Sequence, residues 1–138
     1  MSEQNKAVAR RFYEQVFVKR NLNGLDEIFA PNIIDHSPMP GQAPGVAGIK
    51  EMFGMYLKAF PDAAVSIEEI IAERDLVVAR FSAAATHDGE MMGAAPTGKR
   101  VTFEGIDMLR IQADKVTEVW HQGNEMLVMM QLGIKPPM

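Results

Sequence analysis

The sequence predicts an α+β domain in which helices come first and an antiparallel meander of strands follows, with the helices packed on one sheet face. Three observations carry this. Apolar residues recur every three or four positions as far as Phe60 and every second position after Val65. Short polar turns, Arg74-Asp75 and Ala113-Asp114, separate long β-rich runs without room for crossover helices. The chain has 138 residues, 47% of them hydrophobic and 23% charged, which suits one domain with one sizeable core.

Taken in order, Glu3 to Arg20 reads as a helix, because Val8, Phe12 and Val16 line one face with Ala9, Tyr13 and Phe17 beside them. Asn23-Gly24 breaks it. A short helix over Leu25 to Ala30 is stopped by Pro31. Ile33-Ile34 leads to Asp35-His36-Ser37-Pro38 and a Pro/Gly-rich loop as far as Gly48. Gly48 to Phe60 is the second long helix, with Ile49, Met52, Phe53, Tyr56, Leu57 and Phe60 on one stripe. Strands are expected up to about Glu73, over Leu76 to Thr86, over Lys99 to Ile111 and over Lys115 to Gly123. A Met-rich helix over about Glu125 to Leu132 closes the order.

Charge and composition exclude several function classes. Fourteen Lys and Arg against 18 Asp and Glu give a net charge of -4, the wrong sign for a general nucleic-acid binder. With no cysteine there is no disulfide, thiolate nucleophile or Cys-zinc site. His36, His87 and His121 lack the close spacing of a metal pair, so no metal is expected. Gly93 to Arg100 nearly matches a phosphate-binding loop, but Arg100 replaces the needed hydroxyl and the segment runs into a strand. No apolar run is long enough for a membrane span, and the opening residues lack a signal peptide's apolar stretch. A cytoplasmic protein is expected.

The last hairpin suggests where chemistry lies. If Gln112 pairs with Lys115 and the ladder is regular, Asp107 opposes Trp120, Gly105 opposes Gln122 and Phe103 opposes Asn124. One face then carries Phe103, Asp107, Leu109, Val116, Trp120, Gln122 and Asn124, an apolar wall with a few polar groups, as in a ligand pocket. The other carries Ile106, Met108, Arg110, Val119 and His121. Left bare, its apolar residues would make a patch suited to a homodimer or higher homo-oligomer. Asp107, crowded by Phe103, Leu109 and Trp120, is a candidate acid–base group. His36, between an apolar pair and the Gly/Pro loop, is a candidate at a pocket rim. Asn124 cannot exchange a proton but can orient a substrate or donate to an oxyanion. Trp120, Gln122, Phe103, His87, Met126 and Tyr13 are the candidate ligand contacts.

Leu25-Asp-Glu-Ile-Phe-Ala-Pro31, Asp35-His36-Ser37-Pro38, Ala59-Phe-Pro-Asp62, Thr86-His87-Asp-Gly-Glu, Gly105-Ile-Asp-Met-Leu-Arg110 and Glu118-Val-Trp120 occur in that order along nearly the whole chain. Together they make the sequence similar to the SnoaL-like polyketide cyclase (ester cyclase) family of the nuclear-transport-factor-2-like superfamily. The resemblance implies a single domain over 1–138: a cone-shaped barrel of a curved antiparallel sheet wrapped on N-terminal helices around an apolar pocket. It implies cofactor-free acid–base chemistry, a lyase- or isomerase-type aldol ring closure on a small apolar carbonyl ligand. It also places a pocket Asp four residues after the last-strand Trp, where this chain has Asn124. The base is then expected to be Asp107 or His36, with Asn124 orienting the oxyanion. The alternatives are a non-catalytic small-molecule binder, or a small hydrolase of epoxide-hydrolase kind, which needs an Arg between two Asp at the pocket floor.

Overall fold

A computed structural model describes residues 2–134. Helix α1 (Ser2–Tyr13) continues into a π-helical turn (Glu14–Val18), and a 3₁₀ helix (Leu22–Glu27) leads to strand β1 (Phe29–Asp35). After the loop come α2 (Gly45–Ala59), β2 (Ala64–Glu73), β3 (Leu76–Thr86), β4 (Arg100–Gln112), β5 (Lys115–Gly123) and α3 (Glu125–Gln131). The five strands form one open, mixed sheet in the order β1-β5-β4-β3-β2.

Two expectations are corrected here. The short helix placed over Leu25 to Ala30 is a 3₁₀ turn lying further forward, and Pro31 sits inside a strand. Asn23-Gly24 is too weak a helix former for a full α-turn, and β1 is an edge strand, where Pro is tolerated. The sheet is also not wholly antiparallel. β2 to β5 are, but β1 runs parallel to β5, with Ile34 opposite Glu118 and Asp35 opposite Val119.

Apolar periodicity sets the layers. Val8, Phe12 and Val16 of the first helix, Leu25, Phe29 and Ile49 pack on Val77, Leu109 and Val116 of the sheet. A second cluster, with Phe60, Met91, Val101, Val128 and Leu132, closes the far end under α3. Bulges bend the strands between these clusters, one in β2 between Ile67 and Glu69 and one in β5 at Thr117. The sheet curls around the helices, and a cavity of about 470 Å³ remains between the layers.

The bulge at Thr117 decides which residues face that cavity. Gln112 does pair with Lys115 and Ile111 with Val116, but beyond the bulge Arg110 pairs with Glu118, Leu109 with Val119, Met108 with Trp120 and Asp107 with His121. One extra residue inverts every later side chain of β5 relative to a regular ladder. His121 and Val119 therefore face inward with Asp107, while Trp120 and Gln122 face outward with Met108 and Ile106. The expected faces of Trp120, Val119 and His121 are thus reversed.

Candidate active site

The cavity wall is mostly aromatic and aliphatic, with Phe12, Phe53, Phe81, Phe103, Met52 and Met129 among its residues. Four of its polar groups, Tyr13, Asp107, His121 and Glu125, form one chain of contacts, while Asp35, Ser37, Gln42, Tyr56, Glu104 and Gln122 also border it. The Tyr13 hydroxyl donates to Asp107 Oδ2 at 2.5 Å. Asp107 Oδ1 lies 2.5 Å from His121 Nδ1. His121 Nε2 in turn meets Glu125 Oε1. Four elements supply the chain: the end of α1, β4, β5 and the first turn of α3. Tyr13 is the last α-helical residue before the π turn, and it also touches Phe81 with ring centroids 5.8 Å apart.

The electrostatics follow from this order. Burial works against a charged imidazole, but the hydrogen bonds and charges of Asp107 and Glu125 outweigh it and push His121 up to about 10. His121 is therefore an imidazolium at neutral pH, with both ring N–H groups donated to carboxylates. Burial would raise Glu125, yet its hydrogen bond and attraction to His121 hold it below the ordinary carboxylate range. Burial, together with the neighbouring Asp107, drives the Tyr13 phenol far up, so it stays a neutral donor. Access differs along the chain: the Asp107 side chain is 9% exposed and that of Glu125 38%. Within the chain Asp107 is the inner anchor with both oxygens engaged, and Glu125 is the more accessible carboxylate.

These groups have a stability signature. His121 is raised from 6.5, so its contribution is complete below 6.5, declines as pH rises and is gone above about 10. Glu125 is lowered from 4.5, so its contribution is present above 4.5 and lost as pH falls through the depressed value. The melting temperature of wild type minus that of His121→Gln is therefore expected to be largest between pH 4.5 and 6.5 and to shrink toward pH 10. A difference that is flat with pH in thermal melts would contradict the ion-pair chain.

Two glycines make the chain possible. Gly105 and Gly123 pair across β4 and β5. A Cβ on Gly123 would lie 2.6 Å from Glu125 Oε1 and 2.9 Å from His121 Nε2, and one on Gly105 would lie 2.7 Å from the Phe81 ring and 3.1 Å from His121 Cε1. Any side chain at Gly123 would displace Glu125 from the imidazole.

The residues singled out from sequence are dispersed more widely. Asp107, Tyr13 and Phe103 line the cavity. Gln122 is exposed, pairs with Ile106 on the outer face and borders the cavity. His36 lies outside: its ring stacks on Trp120 at 4.5 Å, and its Nε2 is 2.7 Å from Glu118 on the outer sheet face. Asn124 is spent on the backbone, its N–H donating to the Glu104 carbonyl at 3.1 Å and its Oδ1 accepting from the Glu104 N–H at 2.8 Å. It closes the β4–β5 ladder rather than facing a ligand. His87 is fully buried behind the wall, with Thr97 Oγ1 2.9 Å from its Nδ1 and Phe60 beside the ring. Met126 is 63% exposed, and Met129, one turn on, lines the cavity instead. His121 and Glu125 are the residues that sequence reasoning missed. Their available signal was the i, i+4 spacing across a strand–helix junction, but the face of His121 depends on the bulge.

Among the described residues no Arg or Lys lines the cavity. Arg110 is held by Asp75 at 2.8 Å and Glu118 at 3.0 Å, and Arg80 by Glu69, so the Asp-Arg-Asp arrangement of the hydrolase alternative is not formed. Among the described residues no group of three or more His, Asp or Glu is arranged to hold a metal ion, and no helix is long and apolar enough to cross a membrane. Because Trp120 points outward, a cavity ligand is expected to leave its fluorescence nearly unchanged, and Trp120→Phe to bind with wild-type affinity. A saturable quench on adding an aromatic ligand would place Trp120 in the pocket after all.

The comparison that decides the family is the match of residues 7–132 to the model for SnoaL-like polyketide cyclases. The chain belongs to the SnoaL-like polyketide cyclase family. Its fold is the NTF2-like one of the family's solved members. AclR of Streptomyces galilaeus, a proposed hydroxylase, is 30% identical with a TM-score of 0.84, over 99% of this chain and 89% of that one. IdmH of Streptomyces antibioticus, a proposed polyketide cyclase, is 29% identical with a TM-score of 0.80, over 95% of this chain and 99% of that one. A SnoaL-like protein of Jannaschia at 20% identity has a TM-score of 0.86, over 99% of this chain and 96% of that one, and bears on the fold alone. No curated protein matches the chain.

Proposed function

We propose that this SnoaL-like protein closes a ring in a small apolar carbonyl compound by intramolecular aldol-type chemistry, with Glu125 exchanging the proton and His121, Asp107 and Tyr13 holding it in place. The observation that carries this reading is the Tyr13–Asp107–His121–Glu125 chain in a largely apolar cavity. Glu125 Oε1 is engaged by His121, which leaves its second oxygen to accept a proton from the carbon next to a carbonyl. The electron pair of that C–H bond becomes an enolate. Its carbon attacks a second carbonyl of the same molecule, and the resulting alkoxide takes the proton back from Glu125. Atoms balance without water. The His121 imidazolium keeps Glu125 ionised and oriented between turnovers, and Asp107 and Tyr13 fix the imidazole in the way a buried Asp orients a catalytic His.

The 29% identical IdmH, a proposed cyclase, supports a cyclisation over the hydroxylation suggested by AclR only weakly, since AclR is as similar. The chain of proton-carrying side chains is what favours cyclisation. The test is turnover of open-chain aromatic polyketide methyl esters, followed by absorbance and by mass of the product. Wild type is expected to yield a product of unchanged mass with a new ring. Asp107→Asn should lose most of the rate, and Asn124→Asp should leave it as it was, because either side chain accepts from the Glu104 N–H. Tight ester binding with no turnover would replace the enzyme reading by that of a binding protein. A product heavier by one oxygen would replace cyclisation by hydroxylation.

A further inference from the structure

Enolate chemistry needs a base and also a donor at the oxygen where negative charge develops. The cavity spends nearly all its donors internally. The Tyr13 hydroxyl is given to Asp107, and both ring N–H groups of His121 are given to Asp107 and Glu125. At the mouth, the Gln42 amide donates to Asp35 and the Ser37 hydroxyl to the His121 carbonyl. Gln122 borders the cavity from the exposed outer face.

Among the described lining residues two side-chain donors make no hydrogen bond: the Gln122 amide, on the exposed outer face, and the Tyr56 hydroxyl, on α2. Tyr56 projects from the last turn of α2, half-buried, and its hydroxyl makes no hydrogen bond with a described residue. Among the described residues the only fully occluded side-chain polar atom without a partner is His87 Nε2, so the Tyr56 hydroxyl keeps open surface. Tyr56 and Glu125 both border the main cavity and the small void under α3, which places them at one corner where α2 meets α3. Burial raises the phenol, and the nearby Glu125 charge raises it further, so it stays protonated throughout the neutral range.

We propose that the Tyr56 hydroxyl holds the substrate's carbonyl oxygen and donates to the oxyanion that forms when Glu125 removes the adjacent proton. The assignment rests on the cyclisation reading above and adds the second half of its acid–base pair. Tyr56 and Glu125 then grip one carbonyl unit at two points, oxygen and α-carbon. The remaining rings of the substrate lie along the Phe and Met wall. The geometry also points to a substrate whose reacting carbonyl is a neutral ketone or ester. A free carboxylate there would meet the Glu125 charge with no Lys or Arg among the described lining residues to offset it.

The test separates the assignment from the reading it rests on. The carbonyl stretch of carbon-13-labelled 1-acetonaphthone, a neutral aromatic ketone, is recorded by infrared difference spectroscopy on wild type, Tyr56→Phe and Tyr13→Phe. Wild type and Tyr13→Phe are expected to lower the stretch, because a hydrogen bond weakens the C=O bond. Tyr56→Phe, which keeps the ring and removes only the hydroxyl, is expected to return it to the value in an apolar solvent. With a polyketide methyl ester, Tyr56→Phe should lower kcat by roughly 10²- to 10³-fold, the usual loss for one oxyanion donor, and change KM much less. Equal stretches in wild type and Tyr56→Phe, or equal rates, overturn the Tyr56 assignment and leave the cyclisation reading standing. Failure of the ketone to bind wild type overturns both.

Discussion

Glu125→Gln is expected to lower kcat on a polyketide ester by about 10²- to 10⁴-fold, the range that one positioned acid–base group supplies. The amide is nearly isosteric and its oxygen can still accept from His121 Nε2, so the cavity should keep its shape and KM should move little. What disappears is a carboxylate able to take and return a proton. A second effect follows. Glu125 is one of the two charges that push His121 up to about 10, so its imidazole should titrate lower in the variant and lie nearer the ordinary 6.5. Histidine ring signals in an NMR titration read that change without reference to any substrate. The wild-type rate should be level through the neutral range, fall at low pH as Glu125 is protonated below the ordinary carboxylate value, and fall again near pH 10 as His121 loses a proton. A neutral imidazole has one N–H and cannot serve both carboxylates. An unchanged rate in Glu125→Gln would move the base to Asp107, the other carboxylate of the chain.

Leu109→Ala is expected to cost about 2 to 5 kcal/mol of folding stability, the usual range for a buried Leu truncated in a packed core. Leu109 is fully buried near the end of β4, between Val77 of β3 and Val119 of β5. Its neighbours belong to the sheet ladder and cannot close over the lost atoms without distorting it. Ile106→Ala on the same strand is the contrast. Ile106 is 46% exposed on the outer face, and its truncation should stay within about 1 kcal/mol of wild type, near the range of surface substitutions. Urea unfolding of the two variants reads both values. Comparable losses would mean that the face assignment along β4 is wrong.

The parts of this protein legible from its sequence are those governed by local pattern. Period-two runs bounded by Arg74-Asp75 and Ala113-Asp114 mark β3, β4 and β5 within a residue at either end, because turn chemistry and alternation act over a few neighbours. The stripe of Ile49, Phe53 and Phe60 marks α2, although the helix begins three residues before Gly48, at Gly45. β1 was hidden, since seven residues containing Pro31 and Asn32 show no alternation of their own and are extended only by pairing with β5. The Asp107 side of the site was readable for the same reason that β4 was: it lies on a long, regular strand among apolar neighbours.

The other side was decided by a single residue. Thr117 is an extra residue in β5, and nothing in Lys115-Val-Thr-Glu-Val-Trp120 announces it. A side-chain period of two makes facing a parity question, so one inserted residue exchanges Trp120 for His121 at the cavity wall. It turns His36 and Trp120 into an outer-face stack and brings His121 between Asp107 and Glu125. By itself the sequence determined the order of the long helices and of β2 to β5, the apolar layers, the family resemblance and a carboxylate on the inner face of β4, all consequences of near-neighbour pattern. The tertiary structure alone decided which imidazole meets that carboxylate, because parity along a bulged strand is settled by pairing with a partner strand and not by the strand's own residues.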